Sequence, residues 1–284
     1  MKPQDFEFLQ TLLKNRSGLV LSTDKVYLVE SRLMPVARNR GLSGLDELIQ
    51  AVRMGNDERL TVDVTDAMTT NESFFFRDMQ PFESFRETVL PKIVESRRAS
   101  GRNVIRIWSA ACSSGQEPYT LAMILREEEA KLRGMRFEII ATDLSTEIIE
   151  KAQEGTYTQF EVQRGLPIQY LLKYFTQNGD RWQIDRSIRD MVAIKQFNLL
   201  NPFNVLGLFD IVYCRNVLIY FDQPTKSDIL GRISKLMPED GVLYLGGAES
   251  VLGISDAFKP IPGLRGVYGV VRDQGAGAMI RKAS

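Results

Sequence analysis

Residues 103–117 run NVIRIWSAACSSGQE, and the reading of this stretch decides the fold. A β-branched apolar run, NVIRIWSA, breaks into the small residues Ala110, Ala111, Cys112, Ser113, Ser114 and Gly115. These lead into EPYTLAMILREEEAKL, whose apolar residues recur at helical spacing. A strand, a tight turn and a helix are predicted. RFEIIATD at 136–143 and STEIIEKAQ at 145–153 repeat the pattern, and FDIVYCRN at 209–216 and GVLYLGG at 241–247 flank the helical TKSDILGRISKLM. Strands alternating with helices imply a parallel sheet with right-handed crossovers, a doubly wound α/β domain. Ligands of such sheets sit beyond the carboxyl ends of the strands, so the candidate residues are sought in those loops.

The first loop lets a ligand approach the backbone closely, but it is not GxGxxG, and the chain contains no such fingerprint. A dinucleotide gripped by its pyrophosphate is therefore disfavoured, and with it a nicotinamide oxidoreductase. Glu117 fits either a ligand contact or a capping box with Ser114. Asp143 ends the second strand 28 residues after Gly115, where nucleotide-binding α/β domains place an acid for ribose hydroxyls; capping the next helix is its alternative, for which Ser145 competes. Asn198 after AIKQF, and Arg215-Asn216 after FDIVYC, also end strands, with turn chemistry as their alternative. Tyr220, in NVLIYF, reads as a core aromatic whose hydroxyl needs a partner.

Upstream lies MTTNESFFFRD at 68–78. Three phenylalanines suit a core anchor, whereas Asn71 and Arg77 call for polar partners of the kind a ligand site supplies. Residues 1 to about 70 carry apolar positions at helical spacing, four short helices, with starts near Ser43 and Asn56 or Asp57 and ends at Gly41 and Gly55. Lys25, Arg32 and Arg38 recur about every seven residues on one face of the second helix, a solvated face or a docking surface for an acidic partner. Residues 156–195 form an insertion in which Asn178-Gly179 lies between two short strands, a hairpin signal for a small antiparallel flap. The tail DQGAGAMIRKAS, from Asp273, is Gly- and Ala-rich and expected to fray.

Composition narrows the chemistry. The 284 residues are 44% hydrophobic and 25% charged, an ordinary globular balance, and the length suits two domains. Lys plus Arg and Asp plus Glu each number 36, so no overall field attracts nucleic acid. There is no His, which excludes Ser-His-Asp and Cys-His catalysis, and Cys112 and Cys214 alone cannot make a structural metal site; no metal is expected. Sparse cysteine, no apolar run near the length of a membrane span and no signal-peptide core indicate the cytoplasm, without membrane insertion.

Taken together, TTNESFFFRD at 69–78, IWSAACSSGQEPYTLA at 107–122, ATDLS at 141–145, FNLL at 197–200 and FDIVYCRNVLIYF at 209–221 resemble the chemotaxis receptor glutamate O-methyltransferase family. The resemblance spans nearly the whole chain. It implies a helical domain at 1–70, a linker at 71–90 that contributes to the cofactor site, and a Rossmann-like S-adenosylmethionine-dependent domain at 91–284 with the inserted β subdomain. The implied cofactor contacts are Asn71, Ser73, Arg77, Glu117, Asp143, Asn198, Leu199 and Asn216. Arg77 and Tyr220 are implied near the transferred methyl, and Lys25, Arg32 and Arg38 against the helical cytoplasmic part of a chemoreceptor. The implied reaction gives glutamate methyl esters and S-adenosylhomocysteine. Two departures stand out: Pro35 interrupts the basic helix, and the hairpin at Asn178-Gly179 is short for gripping a receptor's C-terminal peptide, so no such tether is expected.

Overall fold

In this computed structural model, which describes residues 1–272, the chain forms a helical domain followed by an α/β domain. The first domain comprises α1 (Pro3–Ser17), α2 (Val26–Asn39), α3 (Leu45–Met54) and α4 (Glu58–Met68). Its core is its own: Leu9, Leu13, Val29, Leu33, Leu48 and Val64 are fully buried against one another. Asp57 caps α4 by accepting the Leu60 N–H, and Ser43 donates its N–H and hydroxyl to Glu47 at the entrance to α3. Gly55 ends α3 in the left-handed conformation. α2 runs unbroken through Pro35, which corrects the expectation that this proline interrupts it. The missing N–H costs one bond toward Ser31, and the ring projects on the exposed side.

The connecting segment leads into α5 (Gln80–Ser84), which passes through a π-turn at Phe85–Val89 into α6 (Leu90–Ala99). Then come β1 (Val104–Ala110), α7 (Gln116–Glu127), β2 (Arg136–Asp143) and α8 (Thr146–Glu154). The inserted flap follows as β3 (Thr156–Thr158), α9 (Gln159–Gln163), α10 (Ile168–Tyr174), β4 (Phe175–Asn178), β5 (Arg181–Ile184) and α11 (Arg186–Arg189). The chain returns as β6 (Val192–Gln196), β7 (Ile211–Cys214), α12 (Gln223–Lys235), β8 (Val242–Leu245), β9 (Phe258–Pro260) and β10 (Val267–Val270).

The large sheet is ordered β6-β2-β1-β7-β8-β10-β9. It is parallel from β6 to β8, with β10 and β9 added antiparallel. The chain adds strands first on one side of β1 and then, from β7, on the other; at this switch in strand order the crevice for a ligand opens. Alternation along each strand feeds two cores. Ile105, Ile107, Ile211, Tyr213 and Tyr244 pack toward α6, α7 and the flap, while Trp108, Val212, Cys214 and Leu243 pack toward α12.

The flap is a separate sheet, β3-β5-β4, whose hairpin closes around Gly179 and Asp180. It ends before β6, which belongs to the large sheet, so the insertion is slightly shorter than the sequence pattern suggested. Phe75 anchors the connecting segment to it, edge-on to Tyr157 at 4.9 Å and Phe175 at 5.4 Å, and Phe76 packs on Tyr170 at 4.8 Å. Buried Arg97 ties α6 to the sheet through Asp210 (2.6 Å) and Asp240 (2.6 and 2.8 Å), holding the Asp240 carboxyl down to about 2. No helix among the described residues is long and apolar enough to cross a membrane. The Gly- and Ala-rich tail from Asp273 lies outside the described residues.

Candidate active site

At the carboxyl ends of β1, β2, β6 and β7 lies a crevice. It gathers Asn71, Ser73, Arg77, Glu117, Asp143, Asn198, Leu199, Asn216 and Tyr220, brought from positions as far apart as 71 and 220. Lys25, just before α2, and Arg32 and Arg38 on α2 stand apart from it.

The loop after β1 bends sharply. Ala111 and Ser113 have φ of 56° and 51°, a conformation that side-chain-bearing residues rarely take, and Gly115 follows at 89°. Asp143 holds this bend. Its carboxylate accepts the Ser113 N–H at 2.8 Å and the Ser145 N–H at 3.2 Å, and Cys112 N–H reaches the Thr142 carbonyl at 2.9 Å. Ser145, not Asp143, caps α8, accepting the Ile148 N–H. Each oxygen of Asp143 keeps acceptor capacity for a hydroxyl. Burial pushes its carboxyl up, and the backbone N–H bonds counter this.

Glu117 makes no capping box. Ser114 turns its hydroxyl to Gln116, and α7 begins after Gly115 without a side-chain cap. The Glu117 carboxylate instead accepts the Ser109 hydroxyl at 2.8 Å and Arg215 Nη1 at 3.0 Å. Burial raises its carboxyl, opposed by Arg215.

Arg215 in turn donates to the Arg77 carbonyl at 2.9 Å and the Asp78 carboxylate at 2.8 Å, while its Nε, buried, has no partner. It thereby locks the connecting segment onto the crevice floor. The sequence places Arg215 at a strand end, with turn chemistry as the alternative, and does not name its partners. The available signal was a charge directly after four buried apolar residues, a place that demands a counter-ion.

The connecting segment supplies the near wall. Its Phe76, Asp78 and Met79 all have positive φ, and Ser113 donates its hydroxyl to the Asn71 carbonyl at 2.6 Å. Arg77 lies 5.5 Å from the Phe74 ring and donates to the Glu72 carbonyl, with its head at the crevice. The phenylalanines thus anchor while the polar residues on either side of them line the site, so the two readings of this run hold for different residues.

The helical domain closes the far wall with Ser17 and Leu19. Asn198 donates to the Arg16 carbonyl at 2.6 Å and accepts the Leu200 N–H at 2.9 Å. Val20 N–H reaches the Tyr220 carbonyl at 2.9 Å, and Lys14 pairs with Asp222 at 2.7 Å. Gly18, at φ 78°, makes this approach possible, since a Cβ there would lie 2.9 Å from the Phe221 ring.

Lys25 ends the 3-10 turn Thr23–Lys25 just before α2, a correction to its place on that helix, and pairs with neighbouring Asp24 at 3.2 Å; on α2, Arg38 is exposed. Arg32 is engaged differently, donating to the carbonyls of Met68 and Thr69 at 2.8 Å and the Thr70 hydroxyl at 3.1 Å. It therefore clamps the end of α4 to the start of the connecting segment.

The crevice suits a nucleoside carrying a positive centre: a buried carboxylate with free acceptor capacity, a second one close by, and a small-residue loop with no phosphate grip. The comparisons agree. The family model described as CheR methyltransferase, all-alpha domain, matches residues 4–69, and that described as CheR methyltransferase, SAM binding domain, matches 71–267. A chemotaxis protein methyltransferase of Pseudomonas putida is 41% identical over 261 residues, covering 90% of this chain and 94% of that one. Another, of Borreliella burgdorferi, is 34% identical over 245 residues, 85% of this chain and 86% of that one. With both of its domains and the order of its motifs accounted for, the chain belongs to the CheR methyltransferase family and carries that family's S-adenosylmethionine-binding domain.

Proposed function

We propose that the protein methylates glutamate side chains on the cytoplasmic helices of bacterial chemoreceptors, leaving glutamate methyl esters and S-adenosylhomocysteine, and that it works in the cytoplasm. The observation that supports this best is the convergence of Asp143, Glu117, Arg77 and Tyr220 on one crevice in a chain without histidine. A glutamate acceptor, with an ordinary pKa of about 4.3, is already ionised at neutral pH, so no general base is needed. When bound, adenosylmethionine supplies a methyl group on a positively charged sulfur, which is a good leaving group.

The residues of the chain then have three tasks. Asp143 accepts the ribose hydroxyls, and the nearby Glu117 carboxylate favours a cationic centre. Arg77 draws the acceptor carboxylate toward the crevice, and the Tyr220 hydroxyl orients it. Holding two reactants in line supplies roughly 7–11 kcal/mol of the barrier, so orientation carries most of the catalysis. Charge changes by one unit per modified glutamate, which is how the product would bias a receptor's signalling equilibrium. Lys25 and Arg38 present positive charge to an acidic receptor face. With a hairpin closing on only Gly179 and Asp180, the reading includes no C-terminal peptide tether, and it includes no nucleic acid partner.

The test is transfer of labelled methyl groups to receptor-containing membranes, followed by mild alkali. Release of the label as methanol, and its loss when the receptor's acceptor glutamates are replaced by alanine, is expected. Alkali-stable label would overturn the glutamate assignment while leaving the methyltransferase family intact.

A further inference from the structure

The turn after β8, GGAES at 246–250, has no part in the cofactor contacts described above, yet one of its side chains reaches the loop after β7. Glu249 is 9% exposed, and its carboxylate collects four backbone N–H groups. Oε2 accepts from Asn216 and Gly246, both at 2.7 Å, and Oε1 from Val217 at 3.0 Å and Ile219 at 3.3 Å. Three of those donors belong to the loop after β7, the loop that carries Asn216 and Tyr220 into the crevice.

That loop does not hold its own shape by local preference. Asn216 sits at φ 59°, a left-handed conformation that surrounding structure has to impose. Gly246 is part of the same contact. A Cβ there would lie 2.6 Å from Asn216 Nδ2, 2.7 Å from Glu249 Oε2 and 2.9 Å from Asn216 N, so the turn can close on Asn216 only with glycine at this position. Beyond Tyr220 the loop is pinned again, by the Val20 N–H on the Tyr220 carbonyl. The span between Asn216 and Tyr220 is thus fixed at one end by a single carboxylate and at the other by the helical domain.

We infer that Glu249 is a positioning residue for methyl transfer: it sets the conformation of residues 216–220 and, through them, the placement of Asn216 against the cofactor and of the Tyr220 hydroxyl against the acceptor carboxylate. A carboxylate suits the task because it only accepts, so every backbone N–H it faces can be satisfied at once. The inference rests on the assignment of the crevice to the adenosyl cofactor.

E249Q keeps the side chain's length and replaces one acceptor oxygen by an NH₂ that must face backbone donors. Calorimetry with S-adenosylhomocysteine on the full chain should show the Kd raised about fivefold or more. Receptor methylation should show kcat lowered about tenfold, with the KM for receptor little changed. N216A separates positioning from general stability. If Glu249 acts through Asn216, adding E249Q to N216A should change the Kd less than about twofold. Should E249Q lose a cooperative melt, G246A, which presses on the same atoms from the other side, is measured in the same way. The inference is overturned if the variant binds as the wild type does, or if its penalty multiplies fully with that of N216A. Failure of the wild type itself to bind S-adenosylhomocysteine would overturn the cofactor assignment instead, so the two failures are distinguishable.

Discussion

The crevice and the basic face of α2 are both built from charged residues, but their charges are held in opposite ways. In the crevice, Glu117, Asp143 and Arg215 are buried, each fixed by at least two partners, on a backbone bent into left-handed conformations. At the basic face of α2, Lys25 pairs only with the adjacent carboxylate of Asp24, and Arg38 stands in solvent. The difference teaches where a charge has consequences for the fold. Burial lifts the Glu117 and Asp143 carboxyls above their ordinary values, so each ionised carboxylate costs the ligand-free fold something. Their contribution to stability is present at acid pH and lost as pH rises through the folded pKa, which is the direction opposite to a surface carboxylate paired with lysine or arginine. The crevice keeps charges that the fold disfavours, and a cationic, hydroxyl-bearing ligand is what would reward keeping them.

The sharpest way to break this contrast is Arg215→Met. It strands Glu117 as a buried, unpaired charge, and the expected loss is about 3–5 kcal/mol in urea unfolding. A loss below about 1 kcal/mol would put the crevice pair on a level with exposed ion pairs.

Next in size, Asp143→Asn should weaken S-adenosylhomocysteine by roughly 1.5–3 kcal/mol in calorimetry. The wild-type affinity should fall on acidification, beginning above the ordinary aspartate value of about 3.9 because burial raises this carboxyl, whereas the variant should keep only the part of that dependence that Glu117 carries. Identical pH profiles would remove Asp143 from the cofactor contacts.

Arg32→Ala sharpens the comparison from the other side, since Arg32 shares the α2 face but grips the chain just before Asn71. It should cost about 1–3 kcal/mol of stability and weaken cofactor binding several-fold. The smallest effect is expected from neutralising Lys25 and Arg38 together. Stability should stay within about 0.5 kcal/mol, cofactor affinity should be unchanged, and receptor methylation should become slower and less dependent on salt. Equal methylation rates across a salt series would leave that face as a solvated surface.

The same contrast explains what the sequence made legible. β1, β2 and β7, and the loops that end them, were readable because alternation, small residues and cap formers are local signals, and Asp143 and Asn216 lie where such loops must be. The roles of Arg215 and Glu249 were not, because they come from partners 98 and 33 residues away in the chain. By spacing alone, Arg32 is one of three equivalent basic residues. Its real partners are carbonyls of Met68 and Thr69, groups that every sequence contains and none advertises. Pro35 misled for the converse reason: a local rule predicted a break that packing of Leu33 and Ala37 into the helical core overrides.

The bonds from Val20 to Tyr220 and from Asn198 to Arg16 make the helical domain a wall of the crevice rather than an appendage. A wall shared by two domains is a thermodynamic junction. Any partner whose grip on α1 or α2 alters those two bonds alters cofactor affinity by some factor, and the cofactor must then change the partner's affinity by that same factor. Docking and cofactor binding are in this sense two readings of a single equilibrium.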